Sequence, residues 1–399
     1  MGPLLLFDKS FLQMLNADEV SELSMYFKFV GTPLLIREII SDLKKQPTER
    51  RLPEQAVKAL ASKMGQAHGL QPANFRKLCI ASLCCWFDVP MFGQVPVDPD
   101  APNVFVTEGG KGVLYDSTFE QDMWQRWEHG NFTTDDKESA AAWRNGVQDI
   151  NLKAVGQHWK EFANEHFGKA RNLPELIPLV NAMMDDFDKK VQFKLLVMLM
   201  SFLNVSLDAA RWAAMLFHAG LMPRLKDLCP YAASVLRLYL TFIGGLGRGF
   251  IGPRPSHYVD LQYLFYAPFC MGFVSSDKFH REMWPAASGE NTFIWGPDLK
   301  KELQQRVETQ STLKESGARQ RFPAFPKELH DSPIHILWQK YIILPMGDFE
   351  PTRPDRIERP KASESTDKRP QLVDDLDPVD RDRIKNAFRI FDEAKRGRS

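Results

Sequence analysis

Asp8 and Asp277 are the residues around which chemistry can be built. Asp8 ends the apolar run Leu4-Leu5-Leu6-Phe7, and Asp277 ends the run from Phe269 to Ser276. Two carboxylates brought within ~4 Å of each other repel by about 4 kcal/mol at an effective dielectric near 20. A divalent cation is the simplest agent that holds such a pair together. The condition is that residues more than two hundred positions apart meet in space.

The elements around the two aspartates supply a way for them to meet. Short apolar runs bounded by polar residues read as buried strands of a parallel sheet. In open α/β sheets function gathers beyond the carboxyl ends of the strands, where both aspartates would stand. After the first strand, Asn16-Ala17-Asp18-Glu19 opens a helix through Val20, Leu23 and Tyr26, with an N-cap and an acidic first turn. Thr32-Pro33 starts a second helix, with a capping hydroxyl and proline at its first position. Leu35, Ile36, Ile39, Ile40 and Leu43 form its buried stripe, and Glu38 and Asp42 share another face. Asp260 precedes Leu261 to Tyr266, a segment apolar nearly all round that reads as a buried helix ending at Pro268. Asp260 is there either a helix cap or a functional carboxylate, because an unpaired buried charge is costly.

Composition narrows the classes. The 399 residues are 44% hydrophobic, enough for a large core. Lys plus Arg and Asp plus Glu are both 51, so nucleic-acid binding would need a local basic patch rather than a global field. The five cysteines are odd in number, include adjacent Cys84 and Cys85, and lack CxxC spacing, which favours core thiols in a reducing compartment over disulfides or zinc. The opening residues lack a basic stretch before Leu4, and Leu195 to Asn204 is too short to span a bilayer. The expectation is a soluble cytoplasmic protein without membrane contact.

Between the two aspartates the chain changes character. Residues 46–244 read as a mostly helical insertion, interrupted by an irregular loop or small hairpin from Asp88 to Gly112. Its tryptophans and its His158 and His166 read first as packing residues. Gly247-Arg248-Gly249-Phe250-Ile251-Gly252 matches GxGxxG, but it follows a helix and runs into prolines, so it reads as a loop near the active site in which Arg248 could touch phosphate. Residues 346–399 form a charged, proline-rich tail with a short helix from Pro378 to Lys395.

The order of acids resembles the PIN-domain nucleases. The matching segments are Phe7-Asp8-Lys9-Ser10, Thr32-Pro33 to Glu38, Tyr258-Val259-Asp260, and Ser275-Ser276-Asp277-Lys278. The resemblance covers residues 1–45 and 245–345 and leaves out the helical middle. It implies an α/β, three-layer fold with a central parallel sheet, assembled from both ends of the chain. It further implies that Asp8, Glu38, Asp260 and Asp277 are catalytic metal ligands, with Glu38 binding directly or through water. An oxygen-only donor set favours Mg²⁺ or Mn²⁺. The implied reaction is hydrolysis of phosphodiester bonds, leaving 5′-phosphate and 3′-hydroxyl ends. Ser10 would orient Asp8, while Asp42 and Ser276 are supporting candidates. Lys278, His280, Arg281 and Arg248 are candidates for contact with substrate phosphate.

RNA is the favoured substrate over DNA. The alternatives are a catalytically silent PIN-like interaction or regulatory module, or a DNA nuclease acting in defence. Oligomeric state and any inhibitory protein partner stay open at this point.

Overall fold

The computed structural model describes residues 2–47, 52–67, 71–86, 89, 91, 95–96, 104–107, 110–113, 118–219, 224–287, 291–315 and 332–341. The tail expected at 346–399, with its short helix, lies outside the described residues.

Four short strands form one parallel sheet: β1 (Leu4–Phe7), β2 (Lys28–Val30), β5 (Gly272–Ser275) and β6 (Thr292–Trp295), in the order β2-β1-β5-β6. β3 (Val104–Thr107) and β4 (Gly110–Val113) pair separately as an antiparallel hairpin. The two ends of the chain therefore build one sheet. Leu5 pairs with Gly272, Leu6 with Phe273 and Phe7 with Val274. The runs are apolar throughout because β1 and β5 are buried on both faces, as strands in parallel sheets are.

The strand order creates a switch point. From β1 the chain steps outward to β2, then returns to the other side of β1 for β5 and continues to β6. The connections leaving β1 and β5 thus diverge, opening a crevice outside their carboxyl ends. Asp8 and Asp277 flank it.

The helices that position the site follow local sequence rules. α1 (Lys9–Met14) is capped by Asp8, whose carboxylate accepts from Phe11 N. α2 (Ala17–Tyr26) opens on a capping box between Asn16 and Glu19, and α3 (Pro33–Ile40) on Thr32 with Pro33 in its first turn. Both N-termini match the sequence reading. A turn of 3-10 helix (Ser41–Lys44) carries Asp42.

The helical middle comprises α4 (Pro53–Ala67), α5 (Phe75–Leu83), α6 (Thr118–His129), α7 (Thr134–Gln148), α8 (Leu152–His158), α9 (Lys160–Phe167), α10 (Leu173–Asp185), α11 (Lys189–Leu203), α12 (Leu207–His218), α13 (Leu225–Leu228) and α14 (Pro230–Gly247). α15 (Ser256–Leu264), α16 (Lys278–Ala287), α17 (Gly296–Glu315) and α18 (Pro333–Tyr341) complete the described chain. Its helices and parallel sheet are compatible with a three-layer α/β fold.

The middle is not packed apart from the sheet. One continuous buried core runs from Leu5 and Val274 through Leu60, Leu176 and Leu236. α14 is its spine: it packs on α5, α8, α9 and α10 and also on α16, which follows β5. Polar ties cross the same junction, with Phe75 N donating to Tyr266 Oη at 3.1 Å and Tyr231 Oη donating to the Phe265 carbonyl at 3.1 Å.

Packing is close where β5 meets α18. A Cβ on Gly272 would stand 3.1 Å from Leu5 and 3.2 Å from Leu337, tighter than ordinary packing. Nearby, Arg306 on α17 is fully buried and donates to Glu302 at 2.8 and 2.6 Å and to Tyr26 Oη at 3.1 Å, fastening α17 to α2.

Candidate active site at the carboxyl end of the sheet

Asp8 is 4% exposed and wrapped by donors. Phe11 N reaches Oδ1 at 2.8 Å, Ser10 Oγ sits astride both oxygens at 2.9 and 2.8 Å, and Ser275 Oγ donates to Oδ2 at 2.6 Å. Ser10 thus holds Asp8 by the hydrogen bond expected from the sequence. His280 Nδ1 lies 3.4 Å from Oδ2.

His280 is fully buried, and both its ring nitrogens have partners. Its Nε2 stands 2.8 Å from the Asp260 carbonyl, which only accepts, so Nε2 carries a proton. Its Nδ1 stands 2.7 Å from Ser275 Oγ, whose single proton already goes to Asp8. With the Ser275 proton directed to Asp8, Nδ1 is placed to donate, an arrangement that favours the charged ring beside the Asp8 carboxylate. Burial alone would lower the His280 pKa, but the hydrogen bond and charge of Asp8, with Asp260, raise it. Burial alone would raise the Asp8 pKa, yet His280, Ser275 and Phe11 bring it below the ordinary value.

This corrects the expectation that His280 meets substrate phosphate. Its helix face, between Phe279, Met283 and Trp284, turns it into the core, where it holds Asp8 and the α15 backbone. Ser275 completes the link, since its Oγ also accepts from Asp277 N at 3.0 Å. One hydroxyl thereby joins both aspartate segments.

Glu38, on α3, accepts a short hydrogen bond from the buried phenol of Tyr263 on α15. Burial raises the Glu38 pKa, opposed by Tyr263 and Lys9 and reinforced by Asp8. Lys9 reaches away from Asp8 to α3: its Nζ donates to the Glu38 carbonyl at 2.7 Å and pairs with Asp42 at 2.7 Å. Lys45 also pairs with Asp42 at 2.7 Å, so Asp42, 1% exposed, is an anchor between two lysines.

Asp260 differs from its sequence-based placement. α15 begins at Ser256, a full turn earlier than expected, so Asp260 lies inside the helix and caps nothing. Among the described residues its carboxylate accepts no hydrogen bond. Its pKa is pushed up to about 7 by burial, with the charges of Asp277, Glu38 and Asp8 adding to the shift and His280 opposing it. Asp277 accepts from Phe279 N at 2.8 Å at the start of α16, a position favourable to negative charge.

The remaining candidates separate. Ser276 Oγ contacts Met14 Sδ at 2.8 Å, and a Cβ on Gly296 would approach that hydroxyl to 2.5 Å, so glycine there lets the loops close over one another. Lys278 is exposed at the rim, and Arg281 lies over the Trp295 ring at 4.8 Å. Arg248 is a correction: its guanidinium donates to Asn164 Oδ1 at 2.7 Å and to the carbonyls of Gly168 and Ala170 at 3.3 and 3.2 Å. It closes the α9–α10 corner, and the GxGxxG match starts at the last residue of α14 and runs through the turn that follows it.

A cavity of about 230 Å³ opens beside Glu38, between α3, α7 and α15. Lys9, Lys45, Trp143 and Arg144 line it with Glu38 and Asp42.

The four sequence-predicted acids thus share one end of the sheet, and Asp260 feels the charge of the other three. The all-oxygen donor chemistry suits Mg²⁺ or Mn²⁺. Their side chains do not converge on one point: among the described residues no group of three or more His, Cys, Asp or Glu is placed to hold a metal ion. Asp8 in particular has its oxygens turned to internal donors. Sequence reasoning passed over Tyr263 and Ser275 as functional residues; the available signal was Ser275 as a hydroxyl closing an apolar strand, since buried polar groups need partners.

The chain matches no known family model, no curated protein and no solved structure. No helix among the described residues is long and apolar enough to cross a membrane.

Proposed function

We propose that this chain is a PIN-like, metal-dependent nuclease that hydrolyses phosphodiester bonds, with RNA favoured over DNA. The observation that carries the reading is Asp260: a half-buried carboxylate, without a hydrogen bond among the described residues, pressed by three other acids at a topological switch point. Such a group is relieved by a proton or by a cation.

In this reading Asp260, Asp277, Glu38 and Asp8 would hold Mg²⁺ or Mn²⁺ once their side chains, which do not converge as they stand, turn toward one another. The ion, when bound, supplies Lewis-acid stabilisation of the phosphate and an acidified water. The chain's own residues set the stage for this. His280 and Ser275 keep Asp8 ionised and oriented, Tyr263 fixes one oxygen of Glu38, and Lys45 and Arg144 offer positive charge to a phosphate entering the cavity beside Glu38. A cytoplasmic setting belongs to the same proposal, supported by five free cysteines.

The test is cleavage of single-stranded and structured RNA and DNA with Mn²⁺ or Mg²⁺ by wild type and by Asp260→Asn/Asp277→Asn. Metal-dependent cutting by wild type alone supports the proposal and names the polymer; equal cutting by both proteins overturns it. The second reading, a catalytically silent module, is favoured by the enclosed hydrogen bonding of Asp8. It predicts no cutting on any of these substrates.

A further inference from the structure

A second cavity, of about 420 Å³, lies between α10, α13 and the first turns of α14. Its walls include Asn181, Met184, Asp185, Lys226, Ser234 and Arg237. It is separate from the carboxylates. Tyr231, at the start of α14, stacks on Phe269 ahead of β5 at 5.0 Å, whereas Phe242, three turns later, meets Phe279 beyond β5 at 6.1 Å. α14 therefore runs alongside β5, and this cavity sits toward the amino ends of the strands.

Arg237 is the unusual wall residue. Its Nε is buried and, among the described residues, has no hydrogen-bond acceptor. Asp185 is the carboxylate whose charge it feels, and that carboxylate is paired with Lys226. Burial lowers the Arg237 pKa, yet a guanidinium stays charged in proteins. Asn181 Oδ1 is also buried without a partner. Rotating that amide, whose oxygen and nitrogen are nearly equivalent in shape, would turn two N–H donors to the same space. A buried guanidinium N–H ordinarily has an acceptor, and the one at Arg237 Nε has none among the described residues, which leaves room for an anion there.

We propose that this cavity binds a small organic oxyanion, a phosphate ester or a carboxylate, through the Arg237 guanidinium with Lys226 and Asn181. The fork of N–H donors on arginine matches either oxyanion in a bidentate fashion, which a lysine does not. The volume lies in the range of small-molecule sites. The proposal does not depend on the nuclease reading.

Thermal unfolding of the full chain tests it, with inorganic phosphate, AMP or citrate each compared with NaCl at equal ionic strength. At least one of these is expected to raise the wild-type Tm saturably by several degrees, since a ligand bound only by the folded state stabilises it. Phosphate or AMP acting alone identifies a phosphate site; citrate acting alone identifies a carboxylate site. The shift should vanish in Arg237→Met and be reduced in Arg237→Lys, while Arg237→Met without ligand melts no lower than wild type. A wild type that responds to none of the three, or a shift retained in Arg237→Met, overturns the proposal. A ligand-free Arg237→Met that melts several degrees lower also overturns it, because Arg237 is then a packing residue.

Discussion

At the scale of the residue, His280 and Asp8 form a buried ion pair whose partners perturb each other in opposite directions. A raised histidine pKa gives stability that is present in full below about pH 6.5, the unfolded value, and is lost as pH rises through the folded value. The lowered Asp8 pKa gives stability that is lost as pH falls below 3.8 through its folded value. Wild type should therefore lose stability through His280 as pH rises beyond about 6.5, and His280→Gln should show a shallower slope there while unfolding about 3–5 kcal/mol more easily at pH 6, as removal of one partner of a buried pair does. Urea unfolding of both proteins from pH 5 to 9 reads this directly; parallel curves would contradict it. Asp260, also raised, has a pH slope of the same sign as His280 and opposite to that of Asp8. Its carboxyl, raised to about 7, ionises in the folded state at a cost that grows from 3.8 upward. Asp260→Asn should accordingly gain roughly 4 kcal/mol at pH 8 and almost nothing at pH 3.5. Mn²⁺ should raise the Tm of wild type at pH 8 but not that of the variant.

At the scale of the element, α3 and α15 are aligned by the bond from Tyr263 to Glu38. Tyr263→Phe leaves Glu38 without its buried donor, which costs about 1–3 kcal/mol. Because Tyr263 holds the Glu38 pKa down, its loss should move the Glu38 titration upward, readable by carboxylate NMR; an unmoved titration would mean that the two helices are aligned by packing alone. The cap at Thr32 is simpler. Thr32→Ala removes the acceptor for Leu35 N and should destabilise by about 1 kcal/mol in denaturant melts, with m unchanged.

At the scale of the whole molecule, sheet and helical middle share one core, so they should unfold together. Residues 1–45 joined to 245–345 by a short linker should show no cooperative thermal transition by circular dichroism, since α14 and its partners supply the wall of α16. A cooperative melt of that shortened chain would establish the middle as an independent insertion. The two cavities fall on different parts of this single body, one beside Glu38 and one beside Arg237.

Local rules in the sequence determined the apolar strands ending at Asp8 and Asp277, the capped starts of α2 and α3, and the largely helical middle. These features depend on neighbours within a few residues, where side-chain type and spacing decide the conformation. The start of α15 was not legible, because Ser256-His257-Tyr258 gives no strong cap and the helix is buried by its partners rather than specified by an amphipathic stripe. Nor was the inward turn of His280, the redirection of Arg248, or the crowding that lifts Asp260 toward neutrality. Each of those depends on which strands and helices stand next to one another across more than a hundred residues of chain, and only the tertiary structure decided that.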